Sequence, residues 1–78
     1  MEIKLKYPIE FEGKKIEKLE LRRPKVKDLR DVSQKAKDDT EKELLLFAKL
    51  TGQPVELIEE LDIADYKQLQ DAYMSFLL

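Results

Sequence analysis

The segment from Leu44 to Leu50 would be apolar on nearly every side of a helix, and this feature constrains the fold most. A helix that is apolar all round is covered by other parts of the protein on more than one side. We therefore expect a central helix with the remaining elements arranged around it. With 78 residues the chain has room for one hydrophobic core, which predicts a single domain over residues 1–78.

Before this helix, apolar residues recur at every second position from Ile3 to Phe11, with Tyr7 in the middle of the row. This alternation is typical of a strand with one buried face. Glu12-Gly13 supplies a turn signal, and apolar residues resume at Ile16. The segment from about 2 to 22 therefore predicts a β-hairpin.

The alternation slips by one residue between Ile16 and Leu19. A β-bulge adds one residue to one strand and so restores the buried face after such a slip. We therefore expect a bulge in the second strand near Glu17 or Lys18, and a longer loop before that strand is the alternative.

Four helical segments follow the hairpin, at about 24–37, 40–51, 54–61 and 62–77. Pro24 marks the start of the first, because proline suits the first turn of a helix. Residues at three- and four-residue steps predict a narrow apolar stripe on this charged helix. They are Val26, Leu29, Val32 or Ser33, and Ala36.

Residues with known capping preferences mark the ends of the other helices. Thr40 and Glu43 have the T-x-x-E spacing of a capping box. Gly52 suits a helix end, Pro54 suits a new start, and Asp62 suits the cap of the last helix. The predicted fold class is therefore α+β: an N-terminal β-hairpin followed by three to four short helices packed on one face.

The last helix has a broad apolar face. Six residues fall within an arc of about 160° at roughly 100° per residue, namely Ile63, Tyr66, Leu69, Tyr73, Phe76 and Leu77. So wide a face is hard to cover within one small domain, which indicates self-association or a protein partner. The candidate partner-binding residues are Tyr66, Leu69, Tyr73, Phe76 and Leu77, and a place in the core is the alternative for each of them.

The residues needed for catalysis or metal binding are scarce. The chain has no Cys and no His, and its two glycines do not form a phosphate-binding loop. The acidic residues between Glu59 and Asp65 lack the spacing of a calcium loop and match the charges found at helix starts. We expect no enzymatic activity, no catalytic residue, no metal site and no cofactor.

The charge pattern bears on nucleic acid and membranes. Ala48, Gly52 and Ile58 have the spacing of a helix-turn-helix, but residues 55–65 carry five acidic residues and no basic one. That segment would be repelled by DNA phosphates, so we expect no nucleic-acid partner. No apolar run approaches the roughly 20 residues of a membrane span, and the N-terminal segment alternates in polarity, which predicts a soluble intracellular protein.

Several segments together resemble a known family. They are residues 21–26, the Asp28-Leu29 pair, residues 43–52 (ELLLFAKLTG), residues 59–66 (EELDIADY), residues 68–73 and the Phe76-Leu77 pair. The chain resembles the small tail assembly chaperones of Mu-like and related contractile-tailed bacteriophages, over nearly its whole length. One departure is visible: we expect glycine or another flexible residue between the first two helices, and residues 34–39 contain none.

The resemblance implies a chaperone in the bacterial host cytoplasm. Such a protein would bind the long, largely helical tape-measure protein, keep it soluble before the tail tube polymerises around it, and be absent from the mature virion. It would do so without catalysis, by helix-in-groove or apolar-face binding, and it could form a homo-oligomer. The alternatives are a helix-turn-helix-like DNA-binding regulator and a structural subunit of the tail.

Overall fold

The computed structural model describes residues 1–78 as an antiparallel hairpin followed by four helices. The strands are β1 (Glu2–Phe11) and β2 (Lys14–Glu20), and the helices are α1 (Val26–Lys35), α2 (Asp39–Thr51), α3 (Val55–Glu59) and α4 (Ile63–Phe76). The predicted α+β class and the order of the elements are confirmed.

The core is one cluster of twelve buried apolar side chains, drawn from both strands and all four helices. Helix α2 lies at its centre: Phe47 is only 1% exposed, and its ring meets the rings of Tyr66 and Tyr73 edge-on, with centroids 5.5 and 6.0 Å apart. The predicted central helix is confirmed. Its coverage is incomplete, however, because Leu44 and Leu45 are only half-buried.

The irregularity of the hairpin lies in β1. Glu2–Lys4 pair with Lys18–Glu20, Ile9–Phe11 pair with Lys14–Ile16, and residues 5–8 lie opposite Glu17 alone. The extra residues are therefore in the first strand, and the predicted bulge near Glu17 or Lys18 was wrong. A bulge leaves backbone N–H groups without a partner in the ladder, so these groups need an acceptor from elsewhere.

Asp65, near the start of α4, supplies that acceptor. Its buried carboxylate accepts hydrogen bonds from the backbone N–H groups of Lys6 at 2.8 Å and Tyr7 at 3.0 Å, and from the amide of Gln68 at 2.7 Å. Pro8 has no N–H to satisfy. The bulge breaks the alternation, so Tyr7 is 57% exposed and its predicted place in the buried row was wrong.

A second buried carboxylate, that of Asp28, joins the hairpin to the helices. Arg22, just after β2, binds it with two parallel hydrogen bonds of 2.9 Å. The backbone N–H of Lys25 donates to it at 2.8 Å and so caps the start of α1, and the ammonium of Lys49 on α2 lies 3.6 Å away. Three separate parts of the chain therefore meet at one side chain.

The folded structure lowers the pKa values of both carboxylates. The hydrogen bonds from Arg22, followed by that from Lys25, hold the pKa of Asp28 well below its usual range despite burial. Burial alone would raise the pKa of Asp65, but the hydrogen bonds from Lys6, Tyr7 and Gln68 together outweigh it and lower the pKa. The folded state is therefore more stable with both carboxylates ionised than with either one protonated.

Helix α1 is shorter and less buried than the sequence predicted. Lys25 and Ala36 flank it in extended conformations, so it spans Val26–Lys35 and not 24–37. The predicted apolar stripe was wrong at Val26, which is 85% exposed, and at Leu29, which is 39% exposed, and only Val32 is fully buried. The cap at Asp28 fixes the start of the helix and turns Val26 away from the core.

The other helix ends follow the sequence signals with one exception. Gly52 adopts the left-handed conformation at the end of α2, with φ of 70°, and Asp62 accepts a hydrogen bond from Ala64 at the start of α4. The predicted capping box of Thr40 and Glu43 was wrong, because Asp38 caps α2 two residues earlier. Glu43 is therefore left free to interact elsewhere.

Phe47→Ala should lower the free energy of unfolding by about 3–5 kcal/mol, because it empties a packed site at the centre of the core. That loss is comparable to the whole stability of a domain this small, so the variant should be largely unfolded in thermal and urea melts. Leu44→Ala, at a half-buried site on the same helix, is the matched control and should cost clearly less. Equal melting of the two variants would contradict the central position of Phe47.

The protein should lose stability in acid. Asp28 and Asp65 have lowered pKa values in the folded state, so their contribution is complete above the ordinary aspartate pKa of about 3.9 and is lost as the pH falls through the folded values. Urea unfolding between pH 6 and pH 2.5 measures this loss. Asp28→Asn should be less stable at pH 6 and show a flatter pH dependence, whereas the exposed Asp71→Asn should keep the slope of the parent.

Candidate partner-binding surface

The apolar arc of α4 is divided between the core and the surface. Leu69 is fully buried and Ala72 is nearly so. On the other side of the arc, Ile63 is 79% exposed, Met74 60% and Leu77 57%. Because so much apolar area of this helix is left uncovered, α4 presents the most extensive candidate surface for a protein partner.

Exposed and half-buried side chains form a row that we call the α4 seam, consisting of Ile63, Tyr66, Gln70, Tyr73 and Leu77. Successive members are three and four residues apart, which is the spacing of the contact positions in a coiled coil. At 1.5 Å per residue, the seam is about 21 Å long. Such a row suits contact with another helix packed along α4.

Two hollows lie beside the seam, between α4 and its neighbours. The larger, which we call the α4 groove, has a volume of about 500 Å³ and is lined by Thr40, Glu43, Leu44, Ile58, Glu59, Leu61, Ile63, Tyr66 and Gln70. The smaller has a volume of about 210 Å³ and is lined by Leu29, Asp39, Lys42, Glu43, Leu46, Phe47 and Tyr73. Glu43 borders both hollows, so they adjoin each other at this residue.

A polar cluster lies at the middle of the seam. Oε1 of Glu43 accepts hydrogen bonds from the hydroxyl of Tyr66 at 2.6 Å and from the amide of Gln70 at 2.8 Å. Burial, and then the hydrogen bond to this carboxylate, raise the pKa of the Tyr66 phenol. The tyrosine therefore stays a neutral donor, and its ring is held in place by Phe47 beneath it and Glu43 beside it.

The five residues predicted from sequence occupy three different environments. Tyr66 and Tyr73 are half-buried on the seam and line the two hollows, and Leu77 is exposed at its end. Leu69 lies in the core beneath them. Phe76 is half-buried under the guanidinium of Arg23, which is 5.5 Å from the ring centroid and donates to the backbone carbonyl of Phe76 at 3.3 Å.

Three residues of this surface were missed by the search for apolar residues. Met74 lies beside the seam, and Gln70 and Glu43 are polar and so were not counted on an apolar face. The spacing of 63, 66, 70, 73 and 77 was the available signal for Gln70. The sequence assigned Glu43 to a capping box and gave no signal that it belongs to this surface, because 23 residues separate it from Tyr66 along the chain.

The surface combines apolar and aromatic side chains with a few polar groups. Its polar groups are two tyrosine hydroxyls, the Thr40 hydroxyl, the Gln70 amide, the Lys42 ammonium and several carboxylates. No group of three acidic side chains is close enough together to hold a metal ion. None of the helices combines the length and apolar content that crossing a bilayer requires. What the surface offers is a helical row of apolar and aromatic side chains with a polar centre.

The comparison with known protein families decides what kind of protein carries this surface. A family model described as phage tail assembly chaperone proteins, E, or 41 or 14, matches residues 2–78. This chain belongs to that family of phage tail assembly chaperones. The family implies that the chaperone has protein partners in tail assembly, and the resemblance noted in the sequence is confirmed. No curated protein and no solved structure matches the chain.

Tyr66→Phe should lower the free energy of unfolding by about 1.5–3 kcal/mol, the range for a hydrogen bond to a charged group. Tyr73→Phe is the matched control, because its hydroxyl makes no hydrogen bond within the chain while its ring packs on the same Phe47. Urea unfolding at pH 7 measures both variants. Equal stability of the two would show that the hydroxyl of Tyr66 is not bound to Glu43 in solution.

Proposed function

We propose that this chaperone binds the tape-measure protein of its phage through the α4 seam and keeps that protein soluble until the tail tube polymerises around it. The observation that carries the proposal is the uncovered apolar row on α4, in a chain that belongs to the tail assembly chaperones. A long helical protein held without its tube exposes apolar surface, and covering that surface prevents aggregation.

The partner-binding residues that we propose are those of the exposed part of α4. Tyr66 and Tyr73 are the aromatic anchors, because Phe47 fixes both rings from below and little side-chain entropy is lost when a partner binds. Leu77 and Ile63 add aliphatic area at the two ends. Phe76 extends the surface if the Arg23 side chain moves away from its ring. The buried Leu69 packs in the core beneath the seam and supports the seam from there.

The proposed mode is helix against helix. A partner segment with apolar residues at three- and four-residue steps would pack along the seam and place side chains into the two hollows. This binding consumes no nucleotide and requires no catalytic group, so the proposed function is non-catalytic. It takes place in the bacterial host cytoplasm, and the chaperone leaves before the virion is complete, since the tube takes over the same partner.

Ile63→Ser should reduce the tape-measure protein that co-purifies with the chaperone by about tenfold, because burying an isoleucine side chain contributes roughly 1.5–3 kcal/mol. Ile63 is 79% exposed, so its loss should leave the thermal melt unchanged. Val26→Ser on α1 is the matched control: this residue is 85% exposed, lies outside the seam and should not affect capture. The measurement is co-expression with the tape-measure protein, followed by pull-down and a solubility assay.

The paired change Phe76→Ser and Leu77→Ser tests the far end of the same surface and should also weaken capture. Enrichment of DNA fragments in place of tape-measure protein would favour a DNA-binding regulator. Recovery of the chain in purified mature virions would favour a structural tail subunit. Either result, or equal capture by the Ile63 and Val26 variants, would contradict the proposed function.

A further inference from the structure

We infer that Glu43 selects the partner helix: the α4 seam takes an amphipathic helix whose apolar face carries one lysine or arginine, and this cation pairs with the Glu43 carboxylate. The inference rests on the proposed function and adds the chemistry of the partner segment. It follows from the position of Glu43, from the hydrogen bonds that hold it, and from the charges around it.

The carboxylate of Glu43 is held in place by hydrogen bonds to only one of its two oxygens. Oε1 accepts both hydrogen bonds, from Tyr66 and Gln70, while Oε2 accepts none and remains accessible to solvent. Glu43 also takes part in no ion pair within the chain, unlike Asp28 and Asp31. One oxygen thus fixes the group, and the other is free to pair with a cation on a bound helix.

The surroundings of Glu43 favour a positive charge. The α4 groove is lined by two carboxylates, those of Glu43 and Glu59, and by no basic residue. Lys42 lines only the smaller hollow, together with Asp39. A purely apolar helix laid over the groove would desolvate the Glu43 carboxylate without pairing it, and an acidic one would repel it, so both are disfavoured relative to a basic helix.

The cation has a defined place along the partner. Gln70, which binds Glu43, is the middle member of the seam, with Ile63 and Tyr66 before it and Tyr73 and Leu77 after it. A single polar position within an otherwise apolar contact row sets the register of two packed helices. The partner helix therefore needs about two heptads, with apolar residues toward both ends and the basic residue at the centre.

Synthetic helices of three heptads, identical except at the central contact position, provide the probe. This position carries lysine, norleucine or glutamate, and binding to the full chain is measured by isothermal titration at two salt concentrations. The lysine peptide should bind at least tenfold more tightly than the other two, and raising the salt should narrow the difference. Glu43→Gln, which retains the acceptor for Tyr66 and Gln70, should reduce the preference to within about twofold.

The matched control is Glu56→Gln, which removes the same charge from an exposed position on α3 outside the groove and should leave the preference intact. Equal binding of the three peptides, binding of none, or a preference that survives in Glu43→Gln would overturn the inference. So would sedimentation of the free chain as a dimer that Ile63→Ser abolishes, since a second copy would then occupy the seam.

The two proposals fail in different ways. If the chaperone captures tape-measure protein but shows no preference for the lysine peptide, the proposed function is supported and the inference about Glu43 is contradicted. A clear preference for the lysine peptide without capture of tape-measure protein would support the seam chemistry and refute the tape-measure protein as its partner.

Discussion

The Asp28 carboxylate is the interaction on which the arrangement of this fold most depends. It is fully buried, yet it is bound by the guanidinium of Arg22, the backbone of Lys25 and, at longer range, the ammonium of Lys49. A buried charge is tolerated only when its partners satisfy it, so the end of the hairpin, the start of α1 and the last turn of α2 must meet here. Removing the carboxylate would loosen three junctions together.

Asp65 plays the same part at the middle of the first strand of the hairpin. It satisfies the two N–H groups of Lys6 and Tyr7 that the bulge in β1 removes from the ladder, and thereby attaches α4 to the strand. Fixing the start of α4 also fixes which of its faces is buried. Leu69 is turned into the core, while Ile63 and Leu77 are left outside. The exposed seam is thus a consequence of how a buried carboxylate docks the helix.

A core of this size leaves little stability to spare, and the chaperone nevertheless keeps apolar side chains on its surface. Phe47 contributes to both core stability and this surface, because its buried ring packs against Tyr66 and Tyr73. Both tyrosines also line the hollows. The same packing therefore stabilises the fold and shapes the surface. Glu43 is available at the centre of that surface because Asp38, and not Thr40, caps α2.

The sequence by itself determined the α+β class, the order of elements and the central helix, because alternation, helical periodicity and residues such as Gly52 and Asp62 act locally. It also supported the family, whose match extends over residues 2–78. Only the tertiary structure decided the strand that carries the bulge, the roles of Asp28 and Asp65, and the division of α4 into core and seam. These depend on which group satisfies a buried polar atom, and periodicity within one segment contains no information about groups in other segments, which lie up to 59 residues away.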